Sequence, residues 1–117
     1  MTFCFVVLLE VDASWLALSR EERRANAAGM YAAVARSAGK VQVRYFDADA
    51  FSGACTDFVV CLTDDLCAYH SLWEELKDSK PFAGGYLRIK DVVCGIENAF
   101  QAYETEVLGM ERDAQSV

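Results

Sequence analysis

Most of the residues that catalytic signatures are built from are scarce or missing in this chain. Among 117 residues there is one histidine and one proline, and the five cysteines include no C-x-x-C pair. That excludes the ligand spacing of a zinc site. G-x-S-x-G, P-loop and dinucleotide fingerprints are absent as well. No apolar run reaches the ~18 residues of a membrane-spanning helix. Basic residues are outnumbered, 11 Lys and Arg against 18 Asp and Glu for a net charge of −7. Such a balance disfavours non-specific binding to nucleic acid or to anionic membranes. With 54% hydrophobic residues the chain is not a disordered one. It opens on a strand-like run with no basic n-region or cleavage site, and the expectation is a cytoplasmic protein with reduced thiols. Cys4, Cys61, Cys67 and Cys94 lie in or beside apolar runs and read as buried small hydrophobes. Cys55, in the loop from Phe51 to Thr56, reads as the exposed one.

What is present is a regular alternation of elements. Thr2 to Leu9 is an almost unbroken apolar run, the pattern of a central strand buried on both faces. Ser19 followed by Glu22 is a capping box opening a helix. Its inner positions are Ala27, Tyr31, Val34 and Ala38, and Gly39 marks its end. A second strand runs over Val41 to Asp49 and a third over Asp57 to Leu62. Thr63 is placed to cap the next helix, whose inner stripe is Leu66, Tyr69, Trp73 and Leu76. Pro81 and Gly84-Gly85 stop it. A fourth strand covers Tyr86 to Val93, and a last helix carries Ile96, Phe100, Tyr103 and Val107 on one face. The order βαββαβ plus a C-terminal helix predicts an α+β, ferredoxin-like fold with a four-stranded antiparallel sheet. Residues 1–110 form its single domain and 111–117 a polar tail.

Period-two alternation assigns each strand two faces. Val41, Val43 and Tyr45 are read towards the helices, and so are Phe58, Val60 and Leu62, and Leu87 and Ile89. The opposite, open face then carries Arg44 and Phe46, Asp57 and Val59, Tyr86 and Arg88, together with either Phe3 and Phe5 or Cys4 and Val6. Leaving that face in water would expose an apolar patch of several hundred Å², which monomers rarely tolerate. A homodimer with open faces together is the expected solution.

On that face Arg44 and Arg88 form a candidate clamp for a carboxylate, phenolate or enolate. Ion pairs with Asp57 or Glu10 are the plainer alternative. Asp57 is either that partner or a general base. Tyr86 is placed to donate a proton or hydrogen bond to a ligand. His70 takes a boundary position on its helix, surface by default and catalytic or haem-binding only as a weaker reading. Asp47 and Asp49 fit a turn or cap better than a magnesium site, for which a third oxygen donor is not evident. Trp15 and Trp73 are packing residues.

Four segments carry a family likeness: WLALSREER from Trp15 to Arg23, VRYFDADAFSGACTD from Val43 to Asp57, DLCAYHSLWEELKDSKPFA from Asp65 to Ala83, and YLRIKDVVCGIENAFQAYE from Tyr86 to Glu104. Together they resemble the darcynin family of small bacterial proteins over nearly the whole chain. The resemblance implies a dimeric α+β-barrel type of fold and no particular reaction. Arg44, Asp47, Phe51 and Asp57 resemble residues typical of the family; the cysteines and His70 do not.

Two functional classes follow. The first is a cofactor-independent enzyme, of oxygenase, cyclase or isomerase type, acting on a small aromatic or polyketide-like molecule, with Arg44, Asp57, Arg88 and Tyr86 supplying oxyanion and proton chemistry. The second is a non-catalytic module that binds a small molecule or a partner chain with the same face.

Overall fold

The long apolar run does become the centre of the sheet. In the computed structural model, which describes residues 1–111, β1 (Phe3–Val11) pairs antiparallel with β3 (Asp57–Thr63) on one side and β4 (Leu87–Ile96) on the other. Strand β2 (Val41–Asp47) extends the sheet beyond β3, giving the order β2-β3-β1-β4. Helices α2 (Arg20–Ser37) and α3 (Leu66–Asp78) cover one face, so the ferredoxin-like βαββαβ order stands. Two single turns were not foreseen: α1 (Ala13–Leu16) before α2 and α4 (Lys80–Ala83) after α3. The expected polar tail lies, beyond Glu111, outside the described residues.

Local chemistry fixes the helix starts. The Ser19 hydroxyl accepts from the Glu22 amide at 3.1 Å and the Glu22 carboxylate accepts from the Ser19 amide at 3.0 Å, a complete capping box. At α3 the cap is Asp65, accepting from the Ala68 amide at 2.9 Å, and not Thr63. The Thr63 hydroxyl instead donates to the Lys40 carbonyl at 2.7 Å and accepts from the Asp65 amide. It ties the entry of β2 to the exit of β3. The inner stripes also shift by a position. Leu72, Trp73 and Leu76 are buried on α3 while Leu66 is exposed, and Ala27 and Ala33 are buried on α2 while Tyr31 is 70% exposed.

The largest correction concerns β3. Its register sets Val59 against Tyr45 and Val7, and Cys61 against Val43 and Phe5. Asp57, Val59, Cys61 and Thr63 therefore face the helices and are buried, whereas Phe58, Val60 and Leu62 lie on the open face. Both faces of this strand are apolar, and alternation alone does not choose between them. Size does. The helices lie close over the sheet through Ala33, so the small Val7, Val59 and Cys61 fit beneath them with Leu72 and Leu76. Phe58 and Leu62 are left outside. On β1 the register puts Cys4 and Val6 on the open face and Phe5 on the helix side, stacked on Tyr69 of α3 at 3.7 Å between ring centroids.

β4 is different. Only Leu87 is buried, and every later residue is exposed on both faces. Lys90 is an extra residue in a bulge opposite Leu8 and Leu9, which shifts the alternation so that Val92, Cys94 and Ile96 share the helix-side face with Val7, Phe5 and Phe3. Beyond it, Asn98 has φ 49°, and α5 (Ala99–Ala102) runs into a π-helical turn over Tyr103–Val107. The sequence stripe is there, except that Ile96 belongs to the strand, but Phe100, Tyr103 and Val107 are all exposed. This arm packs chiefly on itself. The radius of gyration is 17.4 Å, where a compact chain of this length is expected near ~13 Å.

Candidate functional site

The five residues singled out from sequence do not form one constellation. Arg44 and Arg88 are both on the open face but on opposite edge strands. Three strand spacings and a four-residue offset along β1 put their Cα atoms about 20 Å apart. The Arg44 guanidinium lies 5.7 Å over the Phe46 ring, which in turn stacks on Phe58 at 4.9 Å. Arg88 lines a cleft of about 310 Å³ with Glu10, Val11, Asp12, Ala13 and Gly85. Carboxylates dominate there. Asp12 is held below the usual carboxylate range by the Ser14 hydroxyl and amide and, more weakly, by the Arg88 charge, and Glu10 pairs with Lys90 at 3.8 Å. Neither expected partner of Arg88 pairs with it: Glu10 is bonded to Lys90, and Asp57 lies on the other face of the sheet. Tyr86 packs edge-on against Trp15 at 5.3 Å, near Arg88 but not lining its cleft. His70 is 74% exposed on α3, 3.4 Å from Glu74.

Asp57, expected beside the arginines, faces the other way. It is buried under the helix layer, and the Tyr45 phenol donates to its Oδ2 at 2.5 Å. Asp47 is its register partner on β2. Hydrogen bonding with Asp57 raises the Asp47 pKa, and burial, followed by the bond to Asp57, raises that of Tyr45. The phenol stays protonated and satisfies the buried Asp57 carboxylate. Sequence reasoning had placed Tyr45 among core side chains and Asp47 in a turn. Only the in-register pairing of β2 with β3 brings them together.

A second feature went unnoticed in the sequence because it depends on what is not covered. Helix-side residues Val92, Cys94 and Ile96 of β4 form an open shelf. Its wall is the Phe5–Tyr69 stack, backed by Trp73 and Phe82. Burial pushes the Tyr69 phenol up to about 12, with the Cys61 and Cys94 thiols as neighbours. Burial also pushes the Cys61 thiol up to about 11, partly offset by the Trp73 indole N–H directed at its sulfur. That indole nitrogen is fully buried and makes no regular hydrogen bond. Cys67 and Cys94 are exposed while Cys55 is buried, the reverse of their sequence assignment. A second cleft, about 320 Å³ between α2 and α3, is crossed by the Arg36–Glu75 ion pair.

This fold is shared with chlorite dismutase of Candidatus Nitrospira defluvii. A single-residue variant of that protein superposes with a TM-score of 0.74 at 15% identity, over 94% of this chain and 44% of that one. Its complex with imidazole gives 0.71 at 15% identity, over 80% and 39%. The chain thus spans less than half the length of these solved chains, and at such identity the likeness is one of fold. Sequence relatives are nearer in size. Darcynin of Chromobacterium violaceum is 31% identical over 68 residues, 58% of this chain and 86% of that protein. Darcynin 1 of Acinetobacter baumannii is 28% identical over 90 residues, 77% and 100%. A darcynin homolog of Streptomyces avermitilis is 30% identical over 95 residues, 80% and 78%. The family model described as "Darcynin, domain of unknown function" matches residues 2–110. On that match over nearly the whole sequence, the chain belongs to the darcynin family.

Proposed function

We propose that this darcynin is a homodimeric module that binds a small, flat, apolar or aromatic molecule. The observation that carries the reading is the β4 shelf, an apolar floor beside a stacked aromatic wall that no element among the described residues covers. Apolar floors with aromatic walls are the usual lining of small-molecule sites once enclosed. The open face supports dimerisation. It holds Val6, Leu8, Phe46, Phe58, Val60 and Leu62, all half-buried with no covering layer among the described residues, and Val93 at 60% exposure. Two such faces packed together bury one another symmetrically. The free thiols fit a reducing cytoplasm.

The test uses the full chain, light scattering for mass and anilinonaphthalene sulfonate as probe. A dimer at micromolar concentration with saturable fluorescence enhancement is expected, the enhancement falling at least fivefold in Ile96→Asp. A monomer, or a signal indifferent to that substitution, overturns the reading. A catalytic reading keeps one specific support, the 2.5 Å bond between Tyr45 and the buried Asp57. Conversion of an aromatic ligand that disappears in Asp57→Asn, with the dimer intact, would decide for it.

A further inference from the structure

We infer that the C-terminal arm of a second copy closes the β4 shelf, so that each ligand site is built from two chains. This rests on the homodimer reading above and goes beyond it, since the partner supplies part of the site. Two uncovered apolar surfaces occur next to each other in the chain. One is the shelf, with Val92 and Ile96 each about two-fifths exposed. The other is the stripe Phe100, Tyr103 and Val107, more than half exposed, on an arm that packs chiefly on itself. Three-to-four-residue spacing aligns that stripe along one side of the arm. Both surfaces are apolar and exposed, and each has the chemistry to bury the other.

Why a second copy and not an unrelated protein? Solved chains of this fold are more than twice as long, so in them a further stretch of the same polypeptide accompanies the matched half. Here a second copy is the equivalent source. The arm leaves β4 through Glu97 and the left-handed Asn98, a short hinge of the kind that exchanges elements between protomers. Tyr103 of the incoming arm then completes the aromatic wall begun by Phe5 and Tyr69.

The exposed Cys94 on the shelf floor allows a direct test. Tyr103→Cys is made in a Cys67→Ala background and the full chain is treated with a short bis-maleimide. Peptide mapping reads the product. A link between Cys94 and the thiol at position 103, in a species of twice the chain mass and lost in Cys94→Ala, is expected. The same link within a single chain overturns the exchange, because the arm then folds onto its own shelf. Light scattering on the untreated protein separates the remaining failures. A dimer without the link overturns the arm placement alone, and a monomer overturns the homodimer reading with it.

Discussion

The body built on β2, β3 and β1 and the strand β4 with its arm obey different rules in one sheet. In the body, the core packs under two helices, and the buried Asp57 and Thr63 are answered within the chain by Tyr45 and Lys40. In β4 nearly everything apolar is exposed. On the proposed homodimer the body would report on folding and β4 on association, and perturbing each region separately tests that division.

The largest effect belongs to the body. Leu72→Ala removes a fully packed leucine and should cost about 2–5 kcal/mol in urea unfolding, independent of protein concentration. Tyr45→Phe strands the buried Asp57 carboxylate and should cost about 1–3 kcal/mol. The same substitution has a pH signature. Tyr45, Tyr69 and Cys61 all bind their protons more tightly in the fold. Their contribution is complete below the unfolded values, 9.0 for the thiol and 10.0 for the phenols, and is lost as pH rises through about 11 for Cys61 and about 12 for Tyr69. The urea midpoint should fall above pH 9, less steeply in Tyr45→Phe. Ser19→Ala, at the capping box, should cost ~1 kcal/mol. Val93→Ala is where the comparison is most exposed to failure: a loss of about 1 kcal/mol at concentrations where the dimer forms, vanishing on dilution to monomer, is expected, and a loss that persists in the monomer would place Val93 with the body. His70→Ala should change stability by no more than ~0.5 kcal/mol, since its side chain is solvated and its partner Glu74 lies on the same helix surface.

The division also explains what was legible in the sequence. Element order, the Ser19 cap and the central position of β1 follow from periodicity and local hydrogen bonding, and those signals are strong here. The face of β3 was not legible, because Phe58, Val60 and Leu62 are as apolar as the residues that took the core positions. Packing under small helix residues made that choice. Asp57 was rightly singled out as unusual, but its partners Tyr45 and Asp47 depend on strand register. Phe100, Tyr103 and Val107 announced an amphipathic segment. Periodicity says that such a segment has an apolar side, and nothing about which surface meets it.

The Lys90 bulge has a consequence for how this chain tolerates changes in its length. Because Lys90 is the surplus residue between the Leu9–Ile89 and Leu8–Asp91 pairs, removing it leaves Ile89 and Val92 on the face they already occupy and merely straightens the strand. Removing a residue from β3 would turn half of that strand inside out. At position 90 a codon can be lost without scrambling the pattern on either side, at the expense of an ion pair with Glu10.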